Sequence, residues 1–150
     1  MKFRKLTLFN INNNRESLEF AQETKSKFDF LVESHGFKQT FSSDTKVRYE
    51  SAEVFVEIFH GEYDYEVGIN FGRLGKNEDF SFLLFCRLMK VVAVTAVEMI
   101  SDDRAAIKTF LITLSDALST TGLGIVMGDS AIFEQMKTVK WWDFKPDALK

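Results

Sequence analysis

The sequence has one cysteine, one proline and two histidines among its 150 residues. A single cysteine, Cys86, excludes an intramolecular disulfide and with it the small secreted folds that disulfides hold together. The only proline, Pro146, lies near the end of the chain, and no stretch before it has the composition of a linker. We therefore expect one domain, residues 1–150, long enough to bury roughly two-thirds of the surface of its unfolded chain.

An excess of charge of one sign is also missing. The chain has 19 lysines and arginines against 22 aspartates and glutamates, and its formal charge is −3. Nucleic-acid-binding proteins show a basic patch or stripe, so we expect no nucleic-acid partner. The N-terminal residues carry charges but no apolar stretch that would suit a signal peptide. These features predict a cytoplasmic protein.

No uninterrupted apolar run reaches the length of a membrane span. Residues 80–100 come nearest to the roughly 20 residues that cross a bilayer. Arg87 and Lys90 lie in the middle of this segment, where each would cost roughly 2.5–3.5 kcal/mol. We expect a buried helix there and no membrane partner.

Phenylalanine, by contrast, is abundant, with 16 residues, which we interpret as core material more readily than as an aromatic binding surface.

Helical spacing marks the first part of the chain. The asparagines at 12–14 can cap a helix start. Apolar residues then recur at helical spacing from Leu18 to Val32, and Gly36 supplies a C-terminal stop. This pattern predicts one helix over residues 15–35.

From Phe37 onward the apolar period changes to two, which is a strand signal. The alternating apolar residues are Val47, Tyr49, Val54, Val56, Ile58, Tyr63, Tyr65, Val67, Ile69 and Phe71. Short polar breaks separate the runs, and connections of two or three residues fit antiparallel hairpins but not parallel crossovers. We predict a four-stranded antiparallel meander.

A register follows if the hairpin turns have two residues. Such turns pair Ile58 with Tyr65 in one hairpin and Tyr49 with Val54 in another. Apolar residues then face apolar residues, as a sheet with one core face requires. A three-residue turn between the first two strands puts Phe41 on the same inner face.

Helical patterns return after the meander. Asp103 can cap a helix whose apolar stripe runs from Ile107 to Leu118, and Asp129 can cap a last helix. Residues 91–97 are rich enough in β-branched side chains to form either a helix or a strand. We predict an α+β fold in which two to four C-terminal helices pack on the sheet.

The same register arranges the outer face of the sheet. It sets Glu57 opposite Glu66 beside Lys46, and it lays Phe55 over Gly68, a glycine that an aromatic ring can cover. Opposed carboxylates can serve acid–base catalysis, but a solvated series of ion pairs is the simpler interpretation. Aromatic residues on a charged face also suit a partner or dimer contact, unless the last helices cover them. The candidate partner-binding residues are Arg48, Phe55, Glu57, Phe59, Asp64 and Glu66.

We predict no catalytic, metal or cofactor site. His60 with Glu62 and Asp64 could begin a metal site, but a tight turn splays these side chains, and we interpret His60 as a hairpin-tip residue. Cys86 lies on the apolar face of its helix, which favours a buried thiol over a nucleophile. The glycines of residues 122–128 lack the spacing of a nucleotide-binding loop. The aromatic residues 141–144 are expected to dock onto the core, or alternatively to anchor a partner.

Several local strings resemble small bacterial proteins that are usually left uncharacterised. The strings are Val47-Arg48-Tyr49-Glu50-Ser51, Val54-Phe55-Val56-Glu57-Ile58, His60-Gly61, Tyr65-Glu66-Val67-Gly68, Met127-Gly128-Asp129 and Phe133-Glu134. In size and acidity this group is similar to the immunity proteins that neutralise polymorphic toxins. The resemblance implies no catalytic residues.

Our hypothesis is a non-enzymatic protein-interaction module, with an immunity-like role as the form that the resemblance implies. Its partner, through the outer sheet face, would be another protein or a second copy of the chain as a homodimer. The alternative is an enzyme or small-ligand-binding domain with a pocket between the sheet and the helices.

Overall fold

The computed structural model describes residues 15–144. The proposed helix cap at residues 12–14 and Pro146 lie outside the described residues. The α+β prediction is confirmed, since N-terminal helices precede an antiparallel sheet and further helices follow it.

The N-terminal helical region is interrupted where we predicted one continuous helix. A helical turn at residues 15–18 is followed by α1 (Phe20–Lys27) and α2 (Asp29–His35). Glu19 adopts the left-handed conformation, with φ of 54°. Leu18 and Phe20 are both buried, although residues two apart lie on opposite sides of a regular helix. The break at Glu19 therefore lets both side chains reach the core.

The sheet is a meander of five strands in sequential order, each antiparallel to the next. The strands are β1 (Lys38–Ser42), β2 (Lys46–Glu50), β3 (Val54–His60), β4 (Val67–Arg73) and β5 (Phe80–Ser81). The four predicted strands are present, and β5 adds a short fifth one. Its two residues lead directly into a helix.

The predicted register of both hairpins is wrong. Tyr49 pairs with Val56, two residues beyond the expected partner. Ile58 pairs with Ile69, four residues beyond, because residues 61–66 form a loop in which Tyr65 adopts a φ of 58°. Both shifts are even numbers, so each residue stays on its predicted face. The inner face is therefore as expected over β2 to β4, and it is buried.

Phe41 lies on the opposite face of the sheet from the one that we predicted. A β-bulge lies between Gln39 and Phe41, and beyond it Phe41 pairs with Arg48. One extra residue in a strand reverses the side on which the following side chains lie. Phe41 is consequently on the outer side and 50% exposed, whereas Phe37, before the bulge, is buried as predicted.

The C-terminal part consists of helices, three of which begin at a capping polar side chain. They are α3 (Phe82–Leu88), α4 (Val92–Thr95), α5 (Arg104–Ser119), α6 (Leu123–Val126), α7 (Ser130–Met136) and a 3-10 helix (Trp141–Phe144). The side chains of Ser81, Asp103 and Asp129 cap α3, α5 and α7 by accepting hydrogen bonds from backbone N–H groups. The undecided residues 91–97 therefore include a single helical turn and no strand.

The helices pack on the inner face of the sheet. Val47, Val56 and Ile58 have no exposed surface and belong to one apolar cluster with Leu31 and Leu111 from the helices. Outer-face residues such as Lys46 and Arg48 retain solvent exposure. The prediction that the helices pack on the sheet is thus confirmed, and they occupy the inner side.

Candidate functional site

The middle of the outer sheet face carries an ion-pair ladder, formed by Lys46, Arg48, Glu50 and Glu57. Arg48 Nε donates to Glu50 Oε2 over 2.8 Å, and Arg48 Nη1 donates to Glu57 Oε2 over 3.3 Å. Lys46 Nζ lies 3.8 Å from Glu57 Oε1. Glu57 pairs across the sheet with Asn70, so the predicted apposition of Glu57 and Glu66 does not occur. These carboxylates are matched by cations and resemble a structural ladder more than an acid–base pair.

Two aromatic rings of the outer face cover glycines. In both cases the glycine lies four positions further along the chain than the cross-strand partner in the predicted register. Phe59 lies opposite Gly68, and Phe55 lies opposite Gly72. The Arg48 guanidinium also lies over the Phe55 ring, with its carbon 4.1 Å from the ring centroid. Phe55 is therefore only 7% exposed and presents little surface to a partner. Phe59 remains partly exposed.

Asp64 and Glu66 leave the outer-face rows that we predicted for them. Asp64 lies in the loop after β3, where its Oδ1 accepts a hydrogen bond from Glu66 N at 3.1 Å. Glu66 forms an isolated antiparallel bridge with Ile100. Partial burial, and secondarily the charge of Asp64, raise the pKa of the Glu66 carboxyl, while Arg87 acts in the opposite direction.

Glu66 and Phe59 line a groove of about 460 Å³ at the β4 edge of the sheet. We call it the edge groove, and its other lining residues include Gly68, Ser81, Leu83, Arg87, Val97, Glu98, Met99 and Ile100. Val67 N donates to Met99 O over 2.8 Å, which lays the chain around residue 100 along β4. Further along, β4 pairs with β5 through two residues, Asn70 and Phe71, near the middle of the strand. The groove lies between these two contacts, where the neighbouring strand is interrupted.

A second pocket, of about 480 Å³, adjoins the edge groove. We call it the tryptophan pocket, and its lining residues include Asp79, Leu84, Met136, Lys137, Lys140, Trp141 and Trp142. Ser81, Leu83 and Arg87 line both cavities, so the two form one continuous surface along α3. Trp141 and Trp142 are 62% and 53% exposed. The expected docking of these tryptophans onto the core is therefore wrong, and the alternative of an exposed anchor fits their position.

His60 is buried and not at a hairpin tip. It ends β3, is 1% exposed and is held from both sides. Arg15 Nη1 donates to His60 Nδ1 over 2.7 Å, so Nε2 must carry the proton that is donated to Ser101 O over 2.8 Å. Burial lowers the pKa of His60, and the adjacent Arg15 charge lowers it further, against the opposing backbone bond to Ser101. His60 therefore joins the first helical turn to the segment after residue 100 as a neutral imidazole.

Arg15 completes this contact, which no local pattern could reveal because its partners lie 45 or more positions away. Its Nη2 donates to the carbonyl oxygens of Gly61 and Glu62 over 2.8 Å each. Its guanidinium carbon lies 4.4 Å from the Tyr65 ring centroid. These contacts with Arg15 hold the loop after β3 in place beside the edge groove.

A second unpredicted cluster fixes the loop between β4 and β5. Arg73 Nη2 donates to Glu78 Oε2 over 2.5 Å and to Glu134 Oε2 over 2.7 Å. The hydrogen bonds from Arg73 hold the pKa of the nearly buried Glu78 carboxyl below its usual value. This cluster joins α7 to the sheet, and it positions the helix that leads to the tryptophan pocket.

Cys86 has no exposed surface, and burial raises the pKa of its thiol to about 12. The prediction of a buried thiol is confirmed. Within residues 15–144, no group of three or more His, Cys, Asp or Glu side chains is arranged to hold a metal ion. In the same part of the chain, no helix combines the length and apolarity that a bilayer crossing needs.

Sequence reasoning selected Phe59 and Glu66 but missed most of the surface to which they belong. The other lining residues include Arg87, Val97 and Ile100, which lie outside the strands. They come close to β4 only when the chain folds. The immunity-like resemblance stays a prediction. No protein-family model matches the chain, and neither a curated protein nor a solved structure is similar enough to it to count as a match.

Proposed function

We propose that this chain is a non-enzymatic protein-binding module. Its binding surface would be the edge groove and the tryptophan pocket together, which border the outer sheet face at Phe59 and Glu66. The observation that carries the proposal is the continuity of the two cavities through Ser81, Leu83 and Arg87. On the sequence grounds given above, including the single buried thiol, we place this function in the cytoplasm.

Four of the twelve large apolar side chains that are exposed within the described residues line this surface. Val97 and Ile100 in the edge groove are each about half exposed, and Trp141 and Trp142 more so. A contiguous exposed apolar patch generally marks a contact site. Tryptophan is also among the residues that contribute most to binding energy at protein interfaces. These four residues would form the apolar centre of the interface.

Charged residues surround this centre. Glu66 and Glu98 line the edge groove, Lys137 and Lys140 line the tryptophan pocket, and Arg87 lies between. Protein interfaces typically combine an apolar centre with a polar, solvated rim. The arrangement supports a protein partner over an enclosed small molecule.

The environments of His60 and Cys86 also support a function without catalysis. His60 uses both ring nitrogens in hydrogen bonds that hold the fold, and the Cys86 thiol is buried in the core.

A second candidate, binding of a small amphipathic ligand, is favoured by the volume of the edge groove. Its 460 Å³ falls within the usual range of ligand pockets. Ligand-observed NMR with a fragment library, using Ile100→Asp as the comparison, would test this candidate.

The protein-binding function is tested by affinity purification from the source cells. Ile100→Asp places a charge in the edge groove, and Ile112→Asp places the same charge at a similarly exposed site on α5. We expect the wild type and Ile112→Asp to recover the same partner in near-stoichiometric amount, and Ile100→Asp to lose it. Equal recovery by all three would contradict the assignment of the surface, provided that their circular dichroism melting curves coincide.

The immunity-like form of the proposal names a toxin as the partner. It is tested by expressing the product of the neighbouring gene together with this chain. Protection of the cells by the wild type and by Ile112→Asp, but not by Ile100→Asp, would support it. Growth arrest despite the wild-type chain would count against a toxin as the partner while leaving a different protein partner open to the purification experiment.

A further inference from the structure

The two halves of the binding surface differ in charge. Apart from the shared Arg87, the edge groove contains the carboxylates of Glu66 and Glu98. The tryptophan pocket contains the ammonium groups of Lys137 and Lys140, together with one carboxylate, Asp79. Lys137 already lies 3.3 Å from Glu134 and 3.9 Å from Glu78, so Lys140 is the cation better placed to meet another molecule.

The two halves also differ in shape. The edge groove is a concave cavity with a partly apolar lining, in which Phe59, Val97 and Ile100 take part. The tryptophan pocket is shallower and carries the exposed rings of Trp141 and Trp142, whose centroids are 6.0 Å apart. One half thus offers a cavity with carboxylates, and the other offers aromatic rings with cations.

Resting on the protein-binding function proposed above, we infer that the partner of this surface is a second copy of the same chain. Leu83 lines both cavities, so a two-fold axis passing near it places the edge groove of one copy against the tryptophan pocket of the other. The same rotation makes this contact twice, as the symmetry of a two-fold dimer requires. Each contact joins a half rich in carboxylates to one rich in cations.

The size of the surface suits such a dimer. The two cavities are lined by 25 residues between them, of which 19 are not buried, and each partner contributes roughly 20–30 residues to an interface of standard size. A two-fold arrangement also closes on itself, because both halves of each chain are occupied. An unrelated partner would have to match two adjacent regions of opposite sign, whereas a second copy does so by symmetry.

The test exchanges charges at two exposed positions. Sedimentation velocity over a range of concentrations should show the wild type associating from 17.3 kDa to twice that mass. Glu98→Lys sets an ammonium group at position 98 against Lys140 in both contacts of its own dimer, and Lys140→Glu likewise sets a carboxylate at position 140 against Glu98. We expect each variant to weaken self-association at least tenfold. Lys108→Glu, which changes the same charge on the exposed side of α5, should associate like the wild type.

Mixing the two variants distinguishes this dimer from any other. In a dimer with one copy of each variant, the introduced ammonium group at position 98 lies opposite the introduced carboxylate at position 140 in one contact, and the native Lys140 lies opposite the native Glu98 in the other. The mixture should therefore associate like the wild type, although each single variant alone does not. The double variant Glu98→Lys/Lys140→Glu is a second check within one chain. The double variant restores a lysine opposite a glutamate in both contacts and should regain the association constant of the wild type. Failure of the double variant to associate, or unchanged association of the single variants, would overturn the inference. A wild type that stays at 17.3 kDa would overturn it as well.

The dimer and the protein-binding function can fail separately. If the wild type is a monomer but Ile100→Asp loses a different protein in the purification experiment, the dimer is wrong and the binding function stands. If the wild type forms a dimer that none of Glu98→Lys, Lys140→Glu and Ile100→Asp weakens, the dimer lies elsewhere. If the wild type and Ile100→Asp then also recover any partner equally, this surface forms neither the dimer contact nor the binding site for another protein.

Discussion

Arg15 and His60 lie 45 positions apart, and the guanidinium of one donates a hydrogen bond to Nδ1 of the other over 2.7 Å. A protonated imidazole has no free lone pair at this nitrogen and cannot accept that bond. The contact therefore exists only while His60 is neutral. Nε2 of His60 carries a proton in both states, so protonation removes the contact with Arg15 but not the hydrogen bond to the Ser101 carbonyl.

The pH dependence of stability follows from the lowered pKa of His60. The folded state binds the proton less readily than an unfolded chain, in which the pKa is 6.5. The stabilisation is therefore fully present above pH 6.5 and is lost as the pH falls through the lower pKa of the folded state. Arg15 favours this loss, whereas the nearby Asp64 and Asp102 oppose it.

The measurement is the free energy of unfolding in urea between about pH 7.5 and about pH 5, where histidine titrates. His60→Gln should be less stable at neutral pH but should show a weaker fall in acid. His35→Gln, at a less buried position on α2, serves as the comparison for the loss of an imidazole. Identical slopes for the wild type and His60→Gln would contradict the prediction.

Arg15 should contribute far more to stability than another arginine with a short ion pair. Arg15→Ala leaves the Gly61 and Glu62 carbonyls and His60 Nδ1 without their donor, which should cost about 2–4 kcal/mol. Arg104 binds Glu19 on the surface, so Arg104→Ala should cost less than about 1 kcal/mol. Urea denaturation of both variants provides the comparison, and equal losses would show that the Arg15 contacts contribute little.

The two glycines beneath aromatic rings should respond differently to alanine. A Cβ on Gly72 would lie 2.6 Å from the backbone oxygen of Glu78, which cannot easily move. A Cβ on Gly68 would lie 2.7 Å from Cζ of Phe59, a ring on a partly open face. We expect Gly72→Ala to cost about 2–3 kcal/mol and Gly68→Ala less, because only the second clash can be relieved by rotating a side chain.

The same pair allows a compensation experiment. In the Phe59→Leu background, Gly68→Ala should become nearly neutral, while Gly72→Ala should keep its full effect. The free energies of unfolding of the single and double variants form a thermodynamic cycle. No coupling between positions 59 and 68 would show that the ring does not restrict the glycine.

Glu78 should matter more than Glu134, although both bind Arg73. The Glu78 carboxylate is almost fully buried, so Glu78→Gln disrupts a buried ion pair and should cost about 3 kcal/mol. Glu134 is largely exposed, and Glu134→Gln should have a much smaller effect because water screens its charge. Thermal unfolding at neutral pH measures both. Since the pKa of Glu78 is lowered, the difference between the two variants should shrink as the pH falls below 4.5.

The faces of the central strands could be predicted from the sequence, whereas the exact pairing could not. Alternation assigns Val56 and Ile58 to the core whatever the loop length, provided that any shift is even. Loop length depends on backbone details such as the left-handed Tyr65, for which alternation provides no signal. The reversal of Phe41 has a similar origin, since a bulge changes the count of residues without changing their types.

The candidate surface was harder to predict for a different reason. Phe59 and Glu66 were found because they lie on or beside strands with a readable period. Arg87 and Ile100 approach them only because β5 ends after two residues and the later chain returns to β4. Such a return depends on packing between segments that are distant in sequence, and no local pattern encodes it.

The bulge in β1 has a consequence beyond the position of one phenylalanine. β1 is the outermost strand, and all five of its residues are exposed, so its backbone could act as a template for uncontrolled fibre growth. The extra residue interrupts the regular spacing of N–H and C=O groups, and the charge of Lys38 discourages stacking of a further strand. Deleting Thr40, and with it the irregularity, would leave a smooth edge next to an exposed aromatic ring and should make the protein prone to aggregation.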